Sequence, residues 1–546
     1  TTVMNAKIHL EKAIALNPEF AEAYYELGML LKEQGEIKES VKNLKKSVSI
    51  NNDFAEAQCE LAIALTADGD HENARNHFLN SLEINPNYAY AYFNYGLLLI
   101  QIKDIEEAKN NFDKVTEINQ NYAPAYYYKA TLLTNADDYE DARKNYETAL
   151  DIDEKYVEAH YSMGKLLSGG VATNKEGTII DRTNLSEAKI HFNAVIKLNK
   201  DHAKAHYNLA KILCTEKDFK KAKEHLTKTL NINPEYSKAH YLIAYVYEEA
   251  KDIERAKSHY NLSLKFHQEN ALSHFRLGVI LSESGELKKA EENLKKAVLI
   301  DPLHSEAHFH LAMLLREDDD PTLAKKHFFK ALEINPEYAI AFYELAHHSE
   351  KNGDINEAKI HFQKATDVDQ NYVDAYFNLA RILKSPSEHD QAVRNYETAI
   401  EIKSNMADSH YWFAKLLTTG ERLSNDGTLL KEPKLDEAEK HFKHAIRIDP
   451  KFAKAYYRLG ILLYEKKEYT TALYNFEQAI KLDPEFPKAH YSLAILLMNK
   501  DARNALEKDP QPESKKSIRR NEKTNKENKR KTQPRYYRDR QIIKSI

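Results

Sequence analysis

The chain has 546 residues, 42% hydrophobic and 30% charged, with a formal net charge of −5, 14 Gly, 15 Pro and two cysteines. That length exceeds what one globular core sustains, whereas scarce Gly and Pro favour helix from end to end, which a stacked array can extend. Cys59 and Cys214 alone exclude a disulfide framework and a cysteine-based zinc site, and no apolar run reaches the ~20 residues of a membrane span.

The first residues, TTVMNAKIHL, have neither a basic start nor an unbroken apolar stretch and do not read as a signal peptide. Free thiols fit a reducing compartment, the cytoplasm in the simplest reading, with nucleus and cilium not distinguished. A helix is expected from about residue 3 to 16. After it a 34-residue unit repeats. With Tyr24 as position 4, the equivalents run through Gln58, Tyr92, Tyr126, His160, His206, His240, His274, His308, Phe342, Tyr376, His410 and Tyr456 to His490, and two of the steps are 46. Position 8 is always Gly or Ala, position 20 is Ala except at Ser40, and position 24 is always large and apolar.

Positions 4, 7 and 11 share one face of a first helix, and 20, 24 and 27 share one face of a second. Small residues at 8 and 20 let the two axes close to the ~8–10 Å of tight helix packing. Proline at position 32 (Pro18, Pro86, Pro234, Pro302, Pro336, Pro450, Pro484) ends one hairpin before the next begins.

This pattern resembles the tetratricopeptide repeat family over residues 3–499. It predicts an all-α solenoid of thirteen complete repeats, with a leading second helix and a trailing first helix (about 487–499). The resemblance implies a right-handed superhelix whose first helices line a concave groove. Neither end shows the usual capping helix, so a preceding segment, a partner or another copy is expected to cover at least one of them.

The 46-residue steps place two inserts in the solenoid, at about 168–184 and 418–434. Both contain an acidic residue, Gly, Thr and two aliphatics in that order, and Gly177 and Gly427 stand 250 residues apart. The same offset relates NYETA at 145–149 to 395–399 and LEINP at 82–86 to 332–336; Thr148 and Thr398 are the only threonines at position 26. A seven-repeat block duplicated in tandem accounts for this. Turn residues between β-prone stretches suit a small hairpin or ordered loop in each insert. Two readings stay open: tolerated surface insertions, or a matched pair of partner contacts at Glu176, Gly177, Asp426 and Gly427.

No catalytic constellation is present, and no cofactor or metal is expected. GGVATNKEG lacks the Gly-Lys-Ser/Thr of a phosphate loop, and His-Glu-x-x-His and Gly-x-Ser-x-Gly are missing. Asp318, Asp319 and Asp320 precede a second helix, where acids favour its start. Most of the 24 histidines fall at position 4 or 23, where they serve as flat packing groups that charge in acid. Position 5 carries an aromatic stripe near the expected groove. Tyr127, Tyr161, Tyr207, Tyr241, Tyr343 and Tyr411 are candidate contacts for an extended peptide. Some relatives grip a terminal carboxylate with groove Lys and Asn. Lys454 and Arg458 match the last pair of that pattern and join the candidates, but Phe377 and Arg381 occupy its first two places, so the clamp is rejected. The Asn ladder of the sugar-transferase relatives is reduced to Asn94, Asn208 and Asn378.

The repeat ends near 500. Residues 510–546 carry a charge of +9, leaving −14 on the rest. Residues 500–546 together read as a basic, flexible C-terminal tail. Arg519, Arg520, Lys529, Arg530 and Lys531 are its candidate contacts, for nucleic acid or an anionic surface, for an import receptor, or for the chain's own acidic solenoid. The function expected is a non-enzymatic scaffold for other proteins or peptides. The alternatives are an adaptor recruiting through its tail, and the targeting arm of an enzyme.

Overall fold

A computed structural model of the chain describes residues 2–133, 138–169, 172–173, 179–180, 183–317, 321–419 and 433–508. Among these, 29 helices dominate; a 3-10 turn at Pro386–Glu388 and two two-residue strands are minor additions. The helices come in antiparallel pairs such as Ala21–Glu33 with Ile37–Ile50 and Ala55–Asp68 with His71–Ile84. Among the described residues, eight pairs are closed by a tight reversal through one left-handed residue. Glycine supplies it at Gly35, Gly69, Gly285 and Gly353, with φ of 80° to 88°, but Lys103, Lys217, Lys251 and Lys467 hold the same turn at 63° to 65°. Several second helices then start on a side-chain cap: Asp70, Asp104 and Asp218 accept from the backbone N–H of Asn73, Glu107 and Lys221.

Within a pair the small-against-large rule of positions 8 and 24 is visible atom by atom. A Cβ added to Gly96 would stand 2.8 Å from the Phe112 ring, and one added to Gly164 would stand 2.9 Å from Phe192. Phe112, Phe192, Phe328, Phe362 and Phe442 are fully buried, as are the position-20 alanines Ala108, Ala188, Ala324, Ala358 and Ala438. Each such ring removes about 1.5–3 kcal/mol worth of apolar surface from water, so the core is built repeat by repeat rather than around one centre.

The chain divides into two compact units, Thr1–Phe266 and His267–Ile546. The first holds the leading helix Thr2–Leu16 and seven pairs, from Ala21 to Phe266. The second holds seven pairs from Ala271 onward. Its seventh extends the solenoid beyond the expected end. After Pro487–Met498, a nine-residue helix, Lys500–Lys508, packs back on that helix and on Tyr469–Leu482. Ala502 is fully buried there and Leu506 rests on the core. The expected bare first helix therefore has a short partner, and the tail contacts Arg519, Arg520, Lys529, Arg530 and Lys531 lie outside the described residues.

Both units contain one shortened first helix, Ala123–Leu132 and Val373–Ile382, ten residues against the usual twelve to fourteen. Ser385 before Pro386 explains the second case, because a residue preceding proline is pushed out of helical geometry.

The inserts leave their repeats undisturbed. In an ordinary pair the residue before the second helix donates its N–H to the position-11 carbonyl, as Asp70 does to Leu65 at 2.9 Å. Asn184 makes the same bond to Leu167 at 2.9 Å, and Lys434 makes it to Leu417 at 3.2 Å, each across twelve extra residues. The first insert contains a minimal antiparallel ladder, Ala172 opposite Ile180 and Thr173 opposite Ile179. Glu176, Gly177, Asp426 and Gly427 lie outside the described residues, as do Asp318, Asp319 and Asp320.

Candidate binding face

First helices of successive pairs touch one another within each unit, for example Ala21–Glu33 with Ala55–Asp68, and Ala407–Thr418 with Ala453–Glu465. They form a face on which positions 2, 6, 9 and 12 point outward while 7, 8 and 11 face the core.

Except for Tyr491, which is exposed on the last first helix, the position-5 ring does not lie open on that face. It packs against the aromatic residue at position 34, just before the next first helix. Tyr127 meets Tyr156 at 5.2 Å between ring centres, Tyr161 meets His202 at 5.0 Å, Tyr207 meets Tyr236 at 5.1 Å, Tyr343 meets Tyr372 at 4.9 Å and Tyr411 meets Phe452 at 4.9 Å. Tyr241 sits 5.8 Å from Tyr260. Tyr241 and Tyr411 are buried and offer a partner almost no surface; Tyr127, Tyr161, Tyr207 and Tyr343 are half-buried. The stripe welds one repeat to the next. Burial raises the Tyr343 hydroxyl to about 12, so it stays protonated, and it accepts from Asn378 Nδ2 at 3.2 Å. Asn208 Nδ2 donates likewise to the Tyr161 hydroxyl at 3.2 Å.

The histidines form a second regular system. Position-4 and position-23 rings pair across the two helices of a repeat through their Nδ1 atoms: His160 with His191, His206 with His225 and His308 with His327 at 2.9 Å, His240 with His259 at 3.0 Å, and His410 with His441 at 2.8 Å. The position-4 ring also places Nε2 on a backbone carbonyl six residues earlier, as His206 does on Lys200 at 3.1 Å. A neutral ring fits both contacts: Nε2–H donates to the carbonyl, and Nδ1 accepts from the partner's Nδ1–H. Burial, helped by the facing ring, lowers His191, His225, His327 and His441 to about 4. Among the described residues no group of three or more His, Cys, Asp or Glu is arranged to hold a metal. Cys59 and Cys214 are free and buried, and burial raises the Cys214 thiol to about 12.

Some charges on the face are neutralised in pairs. Arg381 makes a forked pair with Glu350 at 2.8 and 2.7 Å, and Arg316 is bound to Glu344. On the last first helices of the second unit, however, Lys415, Lys454, Arg458 and Lys488 have no carboxylate partner among the described residues. Lys415 lies over the Trp412 ring at 4.3 Å. Burial, and then the positive charge of Arg458, Lys384 and Lys488, lowers its pKa. Lys454 and Arg458, expected from the sequence, thus belong to a larger basic cluster. Trp412 and Lys415 were missed; their signal was the lone tryptophan at position 6 with a lysine three residues on.

Sequence models of one family, described as TPR repeat or tetratricopeptide repeat, match residues 9–42, 53–121, 132–168, 213–274, 271–302, 305–338, 339–372, 373–406, 441–474 and 460–501. No curated protein matches. Among solved structures the chain is similar to YrrB, described as a TPR protein with an unusual peptide-binding site (25% identity over 34% of this chain and 95% of that one, TM-score 0.30). It is also similar to the APC/C hetero-tetramer Cut9–Hcn1 (16% identity, 90% and 93% covered, TM-score 0.35) and to yeast Tom70 (16% identity, 92% and 99% covered, TM-score 0.30).

Proposed function

The chain belongs to the tetratricopeptide repeat family, a family of protein-interaction scaffolds, and on that premise we propose that it is a non-enzymatic scaffold whose first-helix face binds an acidic, extended segment of a partner protein. The basic cluster of Lys415, Arg458 and Lys488, with Lys415 over the Trp412 ring and Lys454 one turn before Arg458 on its helix, carries this reading. Like charges held close on a partly desolvated surface cost the folded state energy, and an acidic ligand recovers that cost on binding. Trp412 adds a flat apolar surface of the kind that dominates interface energetics. In the second unit the half-buried edge of Tyr343 is a secondary contact; in the first unit Tyr127, Tyr161 and Tyr207 present edges of the same kind.

Peptide selection from a random display library tests this. Peptides enriched on the wild-type chain should be rich in Asp and Glu, should weaken with added salt, and should be lost on the Lys454→Glu/Arg458→Glu variant. Selected peptides without acidic bias, or retained by the double reversal, would overturn the reading.

The +9 charge of residues 510–546 favours a second role, recruitment of a nucleic acid or an anionic surface through Arg519, Arg520, Lys529, Arg530 and Lys531. Salt-titrated binding to duplex DNA and RNA, compared with a chain ending at residue 509, decides it: affinity unchanged by the truncation removes the tail from consideration.

A further inference from the structure

Position 2 lies in the first turn of each first helix, where the helix dipole favours acids and repels cations. Glu22, Glu56, Glu158, Glu306, Asp374 and Asp408 follow that rule. Lysine stands at position 2 only at Lys204, Lys238, Lys454 and Lys488, which are two pairs at the 250-residue offset. Position 9 is lysine only at Lys165, Lys211 and Lys415, and Lys165 and Lys415 are again 250 residues apart. Three of the four cations gathered in the second unit thus have a counterpart in the first, on the equivalent helices Val157–Ser168, Ala203–Thr215 and Ser237–Glu249. These three helices touch in succession, as Ala407–Thr418, Ala453–Glu465 and Pro487–Met498 do.

Lys165, Lys204 and Lys238 are exposed and Lys211 is half-exposed, and none of the four has a carboxylate partner among the described residues. The helices do not call for these lysines, since the two in a first turn oppose the dipole. Their neighbours at the same offset differ: Ser162 corresponds to Trp412, Asn208 to Arg458 and Lys211 to Ile461. The second exchange removes one cation from the first unit and the third restores one. Each unit therefore presents four cations on three successive first helices, with the lysines at 165, 204 and 238 matched and the residues around them not. What the two places share is the charge that an anionic partner would meet.

We infer that Lys165, Lys204, Lys211 and Lys238 form a second site for an acidic segment, so that the chain holds two such segments at once, one on each unit. This second site rests on the reading of the Trp412 cluster given above and adds valence to it: the partner that fits presents two acidic segments. The two sites are unequal. The first unit has no flat ring in place of Trp412, and the Asn208 amide that replaces Arg458 is engaged with the Tyr161 hydroxyl at 3.2 Å. Charge dominates binding there, which makes it the weaker and the more salt-sensitive of the two.

Trp412 is the single tryptophan of the chain, so its fluorescence reports the second-unit site. Ser162→Trp combined with Trp412→Phe moves the reporter to the equivalent place in the first unit. The probe is acetyl-octaglutamate amide, titrated into the full chain. Both reporters should respond saturably, the one in the first unit at higher probe concentration and with the steeper loss on added salt. Lys165→Glu/Lys204→Glu should weaken the first-unit response roughly tenfold and leave the Trp412 response unchanged, and Lys454→Glu/Arg458→Glu should do the reverse. Carbodiimide coupling of the probe to the wild-type chain needs no new tryptophan, and should label Lys165, Lys204 or Lys238 ahead of the other lysines of the first unit. A silent first-unit reporter without that labelling, or a response that survives Lys165→Glu/Lys204→Glu, overturns the second site and leaves the Trp412 site standing. No response from Trp412 overturns the acidic reading itself, and the second site with it.

Discussion

The Nδ1 atoms of His206 and His225 lie 2.9 Å apart, joining the first and second helices of one repeat through two imidazoles of which only one carries a proton at that contact. Four other repeats contain the same pair. Protonating both rings would set two N–H groups against each other in a partly desolvated seam.

Acid sensitivity follows, and its sign is fixed. The folded pKa of His191, His225, His327 and His441 is about 4, below the ordinary 6.5, so the neutral form is the one the fold favours. Their stabilising contribution is complete above pH 6.5 and is lost progressively as pH falls from 6.5 toward 4. Melting temperature should be flat from pH 8 to 7 and fall steadily below 6.5. Replacing His191, His225, His259, His327 and His441 by Asn removes the facing ring and leaves a carboxamide whose Nδ2 can donate to the neutral Nδ1, and should flatten the profile. A profile unchanged by the five substitutions would remove the pairs as its cause.

Gly96→Ala weighs two effects of opposite sign. Alanine favours a helix interior by roughly 0.5–1 kcal/mol, but its Cβ would lie 2.8 Å from the Phe112 ring. Overpacking of that kind costs about 1–3 kcal/mol, so the variant should be destabilised by about 1–2 kcal/mol net in urea unfolding. Gly35→Ala, which meets no atom within 4 Å but has φ of 80°, should be destabilised through backbone strain alone.

Lys217→Gly should stabilise. The left-handed backbone at φ 63° costs a residue with a Cβ about 1–2 kcal/mol, and glycine returns roughly 0.5–1 kcal/mol of that as entropy lost on folding. The expected gain is below about 1 kcal/mol, with the same sign at Lys103, Lys251 and Lys467. Chemical denaturation resolves it if the four are combined.

Deleting residues 170–181 and 420–431 together should leave helical circular dichroism unchanged, because the Asn184–Leu167 and Lys434–Leu417 backbone bonds already close those repeats as if nothing intervened. If the inserts are paired contacts, the double deletion weakens partner binding more than either single one. Equal binding before and after would leave them as surface excursions.

Much of the fold was legible because the 34-residue period imposes a local rule at every turn: Gly or Ala at 8, Ala at 20, a large apolar group at 24. That rule decides each helix pair without reference to distant residues. The aromatic stripe misled for a related reason. Position 5 sits beside the groove in a helical projection, but the ring is claimed by position 34, which belongs to the connection into the next repeat and has no helical period of its own. The helix Lys500–Lys508 was hidden by composition, since KDARNALEK reads as the start of the basic tail and only Ala502 and Leu506 are apolar enough to pack. The shortened helices Ala123–Leu132 and Val373–Ile382 are announced only by Pro386 in one case.

The closed necks of the two inserts have a mechanical consequence. A helix pair secured only by its neighbours yields to tension as a separate event, and each release frees 34 residues, roughly 110 Å of extended chain. The Asn184–Leu167 and Lys434–Leu417 bonds each enclose twelve further residues, so those two pairs pay out about 40 Å more. Held between two moving partners, the protein would lengthen in even steps, with two longer ones marking the fifth and twelfth repeats.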